Sequence, residues 1–253
     1  MKPPPTKPPG LLFTCSFDDG HPSDLRTAEL LAKHGVRATF YLPISNREGY
    51  PVLNASQMRE LAQGFEIGSH THDHCFLPAL EAAAAQRQIR TGKHRLEQIL
   101  GQPSPGFCYP GGKYGQRELA LVRAAGFEYA RTTMNLCLAQ SDSAFEMPTT
   151  LQFYPHQRQV LVRNFVRHGH WHSRGAVLYQ ALSRGDWGER LQLLLEHAAA
   201  RGGVFHLWGH SRDIDALDAW PLLDRFLATV ASTVAAENRI DNRQLARLHY
   251  RLH

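Results

Sequence analysis

An apolar run, Phe13 to Phe17, ends in two adjacent carboxylates and a glycine, Asp18, Asp19 and Gly20. About fifty residues further on, His70 and His74 flank Thr71-His72-Asp73. Carboxylate oxygens and imidazole nitrogens are suitable ligands for a divalent cation such as zinc. Successive side chains on a strand point to opposite faces, so both aspartates reach one place only if the chain turns there, and Gly20 permits the turn. Two histidines four apart share a face on a helical turn and can pinch one ion. Asp19, His70 and His74 thus form a candidate site of two histidines and one carboxylate, with positions left for water and substrate. Asp18 is left to take a proton.

The elements that must position these groups alternate between strand and helix. Strand patterns cover residues 11–17, 36–42, 65–69, 107–109, 127–132 and 204–208. Helical patterns cover residues 22–33, a short segment opened by Asn54 with Gln57 at capping-box spacing, and residues 78–100, 116–125, 187–201 and 221–236. Residues 135–184 show no readable pattern, and there is no internal repeat. Alternation of this kind makes a parallel sheet, and functional residues at successive strand C-termini point to barrel-like closure.

Ser16-Phe17-Asp18-Asp19-Gly20 resembles the Thr-Phe-Asp-Asp-Gly motif of the polysaccharide deacetylases, carbohydrate esterase family four. His70-Thr71-x-x-His74 resembles that family's second motif, and Gly35 to Tyr41 its second strand. The resemblance runs from about Leu11 to the C-terminus as one domain. It implies a distorted (β/α)7 barrel, with Asp18 as the base and Asp19, His70 and His74 as the metal ligands.

Phe107 to Gly115, with Tyr109-Pro110-Gly111-Gly112 at its centre, resembles the third motif and implies that the Gly111 N–H faces a developing oxyanion. Many relatives carry an arginine where this chain has Cys108, and that arginine holds the base. Arg131, at the end of the next strand, is a candidate to reach in, although a surface ion pair is its plainer role. Gly203 to Asp213 resembles the fifth motif, an apolar strand ending in histidine, and implies His210 as the general acid. His206 has the same strand parity and reads as a buried, hydrogen-bonded histidine. Asp186-Trp187 resembles the fourth motif, whose aspartate would orient His210. The competing reading of Asp186 is a helix N-cap. Tyr109, Arg131 and Trp208 are the candidates for contact with substrate.

The chain has 253 residues, a net charge of +5 and a sequence pI near 9.2. That length suits one barrel domain over residues 11–253, with two small domains as the alternative. The basic balance suits a plain solvated surface, and also an anionic substrate such as a diphosphate-linked sugar. No signature points to nucleic acid, and no apolar run spans a bilayer. Residues 1–10 hold five prolines and read as a disordered tail without the apolar core of a secretion signal, so the expected location is cytoplasmic. Cys15, Cys75, Cys108 and Cys137 fit no disulfide framework and read as buried thiols. Arg239, Arg243, Arg247 and Arg251 read as the solvated stripe of a last helix. His168, His170 and His172 read as an exposed loop, with a second metal site or substrate loop as the alternative.

The expected activity is removal of N-acetyl groups from an N-acetylated sugar by one divalent metal ion. Zinc heads the list, and cobalt, nickel or iron are compatible with the same ligands. The alternatives are hydrolysis of another amide, such as a cyclic ureide in the manner of allantoinase-like relatives, and a catalytically silent carbohydrate-binding protein.

Overall fold

A computed structural model describes residues 10–250. The proline-rich tail expected at the N-terminus lies outside the described residues, apart from an exposed Gly10. Seven strands, β1 (Leu11–Asp18), β2 (Thr39–Leu42), β3 (Glu66–Ser69), β4 (Gly106–Cys108), β5 (Tyr129–Arg131), β6 (Leu151–Gln152) and β7 (Gly203–Gly209), form one parallel sheet in the order β5-β4-β3-β2-β1-β7-β6. Helices α1 (Asp24–Lys33), α2 (Ala55–Leu61), α3 (Ala82–Leu100) and α4 (Gln116–Ala124) follow the first four strands. α5 (Arg158–His168), α6 (Trp171–Ser183) and α7 (Trp187–Arg201) lie between β6 and β7, and α8 (Ser211–Ala216), α9 (Trp220–Thr233) and α10 (Asn242–Tyr250) complete the fold.

The sheet curls, and one irregular stretch brings its two edges together. Met147 bridges Arg131 of β5, and four residues later Leu151 pairs with Leu207 of β7. Between them Thr150 N donates to the His206 carbonyl at 2.8 Å. The expected distorted (β/α)7 barrel is therefore present, and the distortion sits in residues 147–152.

Strand alternation divides two chemistries. Phe13, Cys15 and Phe17 of β1 pack outward, with Phe40, Leu42, Phe205 and Leu207, in the core that the helices cover. The alternate residues point into the barrel, and many are polar. Thr14 Oγ1 donates to Asn242 Oδ1 at 2.8 Å, Ser16 Oγ meets His206 Nε2 at 3.0 Å, and the Tyr41 hydroxyl receives Asn242 Nδ2 at 2.9 Å. α10 thus plugs the N-terminal end of the barrel, with Leu245 and Ala246 buried against Tyr41 and Tyr129. Glycine at 68 makes room for the inward ring of Tyr41, which a Cβ there would strike.

The C-terminal helix differs from the expected solvated stripe. Arg243 pairs with Glu128 at 2.8 Å, Arg247 approaches the same carboxylate at 3.7 Å, and Arg239 instead donates to the His34 carbonyl before the helix begins. Arg251 lies outside the described residues. All four cysteines are buried free thiols, as expected.

Candidate functional site

The ends of β1, β3, β4, β6 and β7 and the loop after β5 meet around an open cavity of about 390 Å³, lined among others by Asp18, Asp19, His70, His74, Gly111, Gln152, Trp208 and His210. The sequence places Asp18 and Asp19 side by side. The backbone separates their roles, because Asp18 ends β1 with its side chain inside the barrel while Asp19 adopts φ 77° and Gly20 φ 63°. Positive φ costs a non-glycine residue roughly 1–2 kcal/mol, and such strain gathers at functional sites.

His70 and His74 lie in a turn rather than on the helical turn the spacing suggested. Thr71 at φ 68° and His74 at φ 57° break the helical path, and Cys75 N donates to Thr71 Oγ1 at 3.3 Å. The turn is clamped from outside by α3, where a Cβ on Gly92 would sit 2.6 Å from the Thr71 carbonyl carbon. From the other side Ile44 N and Ser45 N both donate to the His72 carbonyl at 2.9 Å.

Ligand atoms of Asp19, His70 and His74 all lie within 4.8 Å of one another, and all three residues are buried. His70 Nδ1 lies 2.8 Å from the Cys108 carbonyl, so it carries the proton and Nε2 presents a lone pair in neutral imidazole. The two Nε2 atoms lie 3.6 and 3.1 Å from Asp19 Oδ1. Asp19 Oδ1 is nonetheless buried without a properly directed hydrogen bond. Three donors converging on one another without hydrogen-bond geometry fit a cation between them. Burial pushes the Asp19 carboxyl up, but His70, His74 and His210 outweigh it and hold the group well below the usual carboxylate range.

Asp18, His70 and Cys108 form a second grouping within the same span. It suits a metal less well. Burial keeps the Cys108 thiol protonated, and Asp18 is already taken by Arg131. Arg131 Nη2 donates to Asp18 Oδ1, and both side chains are buried. Arg131 therefore does not contact substrate as expected. It lies beneath the site and brings to Asp18 the guanidinium that position 108 lacks. Burial alone would lower its pKa, but Asp18 more than offsets this and the side chain stays cationic. Its guanidinium also lies 5.0 Å from the centre of the Trp208 ring.

His210 starts α8, and its Nδ1 meets Asp213 Oδ2 at 2.9 Å. Burial lowers its pKa, but Asp213, Asp19 and Asp18 together raise it to about 9. Asp186 is not its partner. Asp186 caps α7, accepting from Glu189 N at 2.9 Å, and lines a separate cleft with Trp187 and Leu222. Asp213 is the residue that sequence reasoning missed, and its signal was a carboxylate three residues after the histidine in the first turn of a helix. His206 is fully buried inside the barrel, where burial and the nearby Arg131 push its pKa well down, so it stays neutral.

Gly111 lines the cavity at φ 62°, and a Cβ there would meet Phe76 Cε1 at 2.7 Å. Trp208 reaches the cavity and crosses the His210 ring edge-on at 5.4 Å. Tyr109 does not, because its ring is buried against Tyr114 and its hydroxyl donates to the Phe145 carbonyl at 3.2 Å. His168 lines the cavity edge, whereas His170 and His172 are exposed, so these three histidines do not form a metal site.

Residues 6–130 match the polysaccharide deacetylase family model, a span that carries Asp18, Asp19, His70, His74 and Gly111. By that region the chain belongs to the polysaccharide deacetylase family. A chitin deacetylase of a Pestalotiopsis species is 33% identical over 127 residues, which is 49% of this chain and 41% of that relative. The match thus spans less than half of the curated relative's length. Among solved structures, a protein of Mycobacterium smegmatis designated a polysaccharide deacetylase superposes with a TM-score of 0.67 at 16% identity, covering 97% of this chain and 92% of its own. The chitin deacetylase of Colletotrichum lindemuthianum gives 0.58 at 15% identity, covering 94% and 88%. At these identities the likeness establishes the fold, including the half of the chain beyond the family match.

Proposed function

We propose that this polysaccharide deacetylase family member is a metal-dependent amide hydrolase that removes the acetyl group from an N-acetylated sugar. The observation that carries the reading is the convergence of Asp19, His70 and His74 beside Asp18 at the floor of one cavity. These three residues would hold the cation, with zinc the first choice for two nitrogens and one oxygen. When bound, a divalent cation supplies Lewis-acid polarisation of the acetyl carbonyl and lowers the pKa of water.

The chain's own residues do the rest. Asp18 accepts the proton of the attacking water as the new carbon–oxygen bond forms. Arg131 fixes Oδ1 of the carboxylate from below, while Oδ2 receives only the weak thiol donor of Cys108 at 3.7 Å and is the oxygen left to take a proton. The Gly111 N–H is the proposed donor to the oxyanion of the tetrahedral intermediate. Protonated His210, oriented by Asp213, donates its proton to the amine nitrogen as the carbon–nitrogen bond breaks. Acetate and a free amino sugar leave. The silent-binder alternative drew on Cys108, and the buried Arg131–Asp18 pair supports the catalytic reading over it.

The test is acetate release from a panel of N-acetyl sugars, with chelator and after re-addition of zinc or cobalt, alongside metal content of Asp19→Ala, His70→Ala and His74→Ala. We expect chelator-sensitive, metal-restored turnover and loss of stoichiometric metal in each variant. Turnover unaffected by removal of the metal, or full metal content in all three variants, would overturn the reading.

A further inference from the structure

The cavity has a basic wall that the deacetylation chemistry does not use. Val160, Arg163, Asn164, Arg167 and His168 of α5 all line it, at the i, i+3, i+4, i+7, i+8 spacing of a single helix face. The core-facing side of α5 is apolar in the usual way, with Leu161 fully buried and Phe165 packed on the core. The neighbouring side turns two guanidinium groups toward the cavity, while Val162 and Val166 are 40% and 58% exposed. Arg163 and Arg167 are four apart, so as like charges on one face they repel by a few tenths of a kcal/mol. Among the described residues neither has an ion-pair partner. Packing and helix stability give no reason for this arrangement.

Arg212 adds a third guanidinium to the same cavity, stacked 3.8 Å from the Tyr50 ring centre and 3.9 Å from Asp213 Oδ1. Against these three stands one carboxylate of the outer cavity, Glu48, since Asp18 and Asp19 are engaged at its floor. The wall is also held firmly. Buried Arg174 donates to the carbonyls of Phe165, Gly169 and Asn135, at 3.0, 2.6 and 2.8 Å. It thereby satisfies the C-terminal end of α5 and offsets the negative pole of that helix next to Arg167.

We propose that Arg163 and Arg167, with Arg212 facing them, form an anion subsite, so that the acetylated sugar taken by this enzyme carries a phosphate or carboxylate group. The proposal rests on the deacetylase reading for the position of the acetyl group. A planar guanidinium matches both anions through paired N–H donors. Neutral chitin-type oligosaccharides leave that charge unmatched.

The experiment compares kcat/KM of the zinc-loaded enzyme for N-acetylglucosamine, its 1-phosphate and the corresponding 6-carboxylate. It is repeated for Arg163→Gln/Arg167→Gln and for Arg201→Gln, an exposed control on α7. We expect at least one anionic sugar to exceed the neutral one by about tenfold, as for a solvent-accessible charge-assisted contact. That ratio should collapse in the double variant and in high salt, and persist in Arg201→Gln. The better of the two anionic sugars identifies the anion. A neutral sugar preferred throughout, or a ratio unmoved in the double variant, overturns the subsite while leaving the deacetylase reading intact. If no sugar is deacetylated, that reading fails instead. Calorimetric binding of the sugar phosphate to the wild-type and double-variant holoenzymes then decides the subsite. Weakening of about fivefold or more supports it, since any contact with the metal is common to both. Equal affinity overturns it.

Discussion

Arg131 and Asp18 make a strong, testable claim about the interior of the barrel. Arg131 is 0% exposed and Asp18 3%. Of the guanidinium donors, Nη2 is bonded to Asp18, while Nε and Nη1 have no partner. The desolvation of this pair is therefore poorly repaid, and each charge depends on the other. Replacing Arg131 with Met leaves a buried carboxylate alone and should cost about 3–5 kcal/mol. Asp18→Asn keeps an acceptor for the arginine but removes its counter-charge, so the lower end, about 3 kcal/mol, is expected. For a domain of this size each kcal/mol lowers Tm by about 2–4 °C, giving drops of roughly 6–20 °C. The double variant should return to within about 2 kcal/mol of wild type, a coupling of at least ~4 kcal/mol. Urea denaturation followed by circular dichroism at pH 7, in excess chelator so that metal binding adds nothing, measures all four corners of the cycle. Losses that simply add in the double variant, within about 0.5 kcal/mol, would refute the pair as a coupled unit.

Asp213→Asn should move the alkaline limb of the activity profile to lower pH. A raised histidine pKa keeps the acid protonated until pH passes that value, and removing Asp213 takes away its largest raising cause. An unmoved limb in a pH–rate profile would detach Asp213 from His210. Asp186→Ala should leave that profile alone and cost only about 1 kcal/mol as a lost helix cap, read by thermal melting. Gly92→Ala should weaken metal binding, because its Cβ would press on the Thr71 backbone that sets His70 and His74. Competition against a chromogenic chelator checks this, and unchanged zinc affinity would count against the clamp. Glu66, half-buried at the far end of the barrel, is raised from 4.5 to about 7 by burial first and then by Asp241. The folded state thus holds an extra proton between those values, so stability should fall as pH rises from about 4.5 through 7. Glu66→Gln should flatten that slope in melts taken across the range, and an unchanged slope would refute the assignment.

Residue order alone was enough for the groups that are neighbours along the chain. Asp18-Asp19-Gly20, the His70–His74 turn and the Gly111-Gly112 loop each lie at the end of one strand, and residue type and spacing alone made them candidates that the fold then gathers in one cavity. Strand and helix alternation led to the barrel, because each outward face had to be apolar to receive a helix. Three features came from packing across the chain. Arg131 pairs with Asp18 across 113 residues, and the inward face of this barrel is polar, so an arginine bound for the interior looks in sequence like one bound for solvent. Asp213 rather than Asp186 meets His210, and sequence could not choose, since each carboxylate sits at the start of a helix and only the packing shows which helix begins at the cavity. The α5 wall was unreadable since Arg163 and Arg167 face a cavity while Val162 and Val166 face solvent. That blurs the apolar stripe of Leu161 and Phe165 from which an amphipathic helix is recognised, and only the closed barrel shows which side meets the cavity.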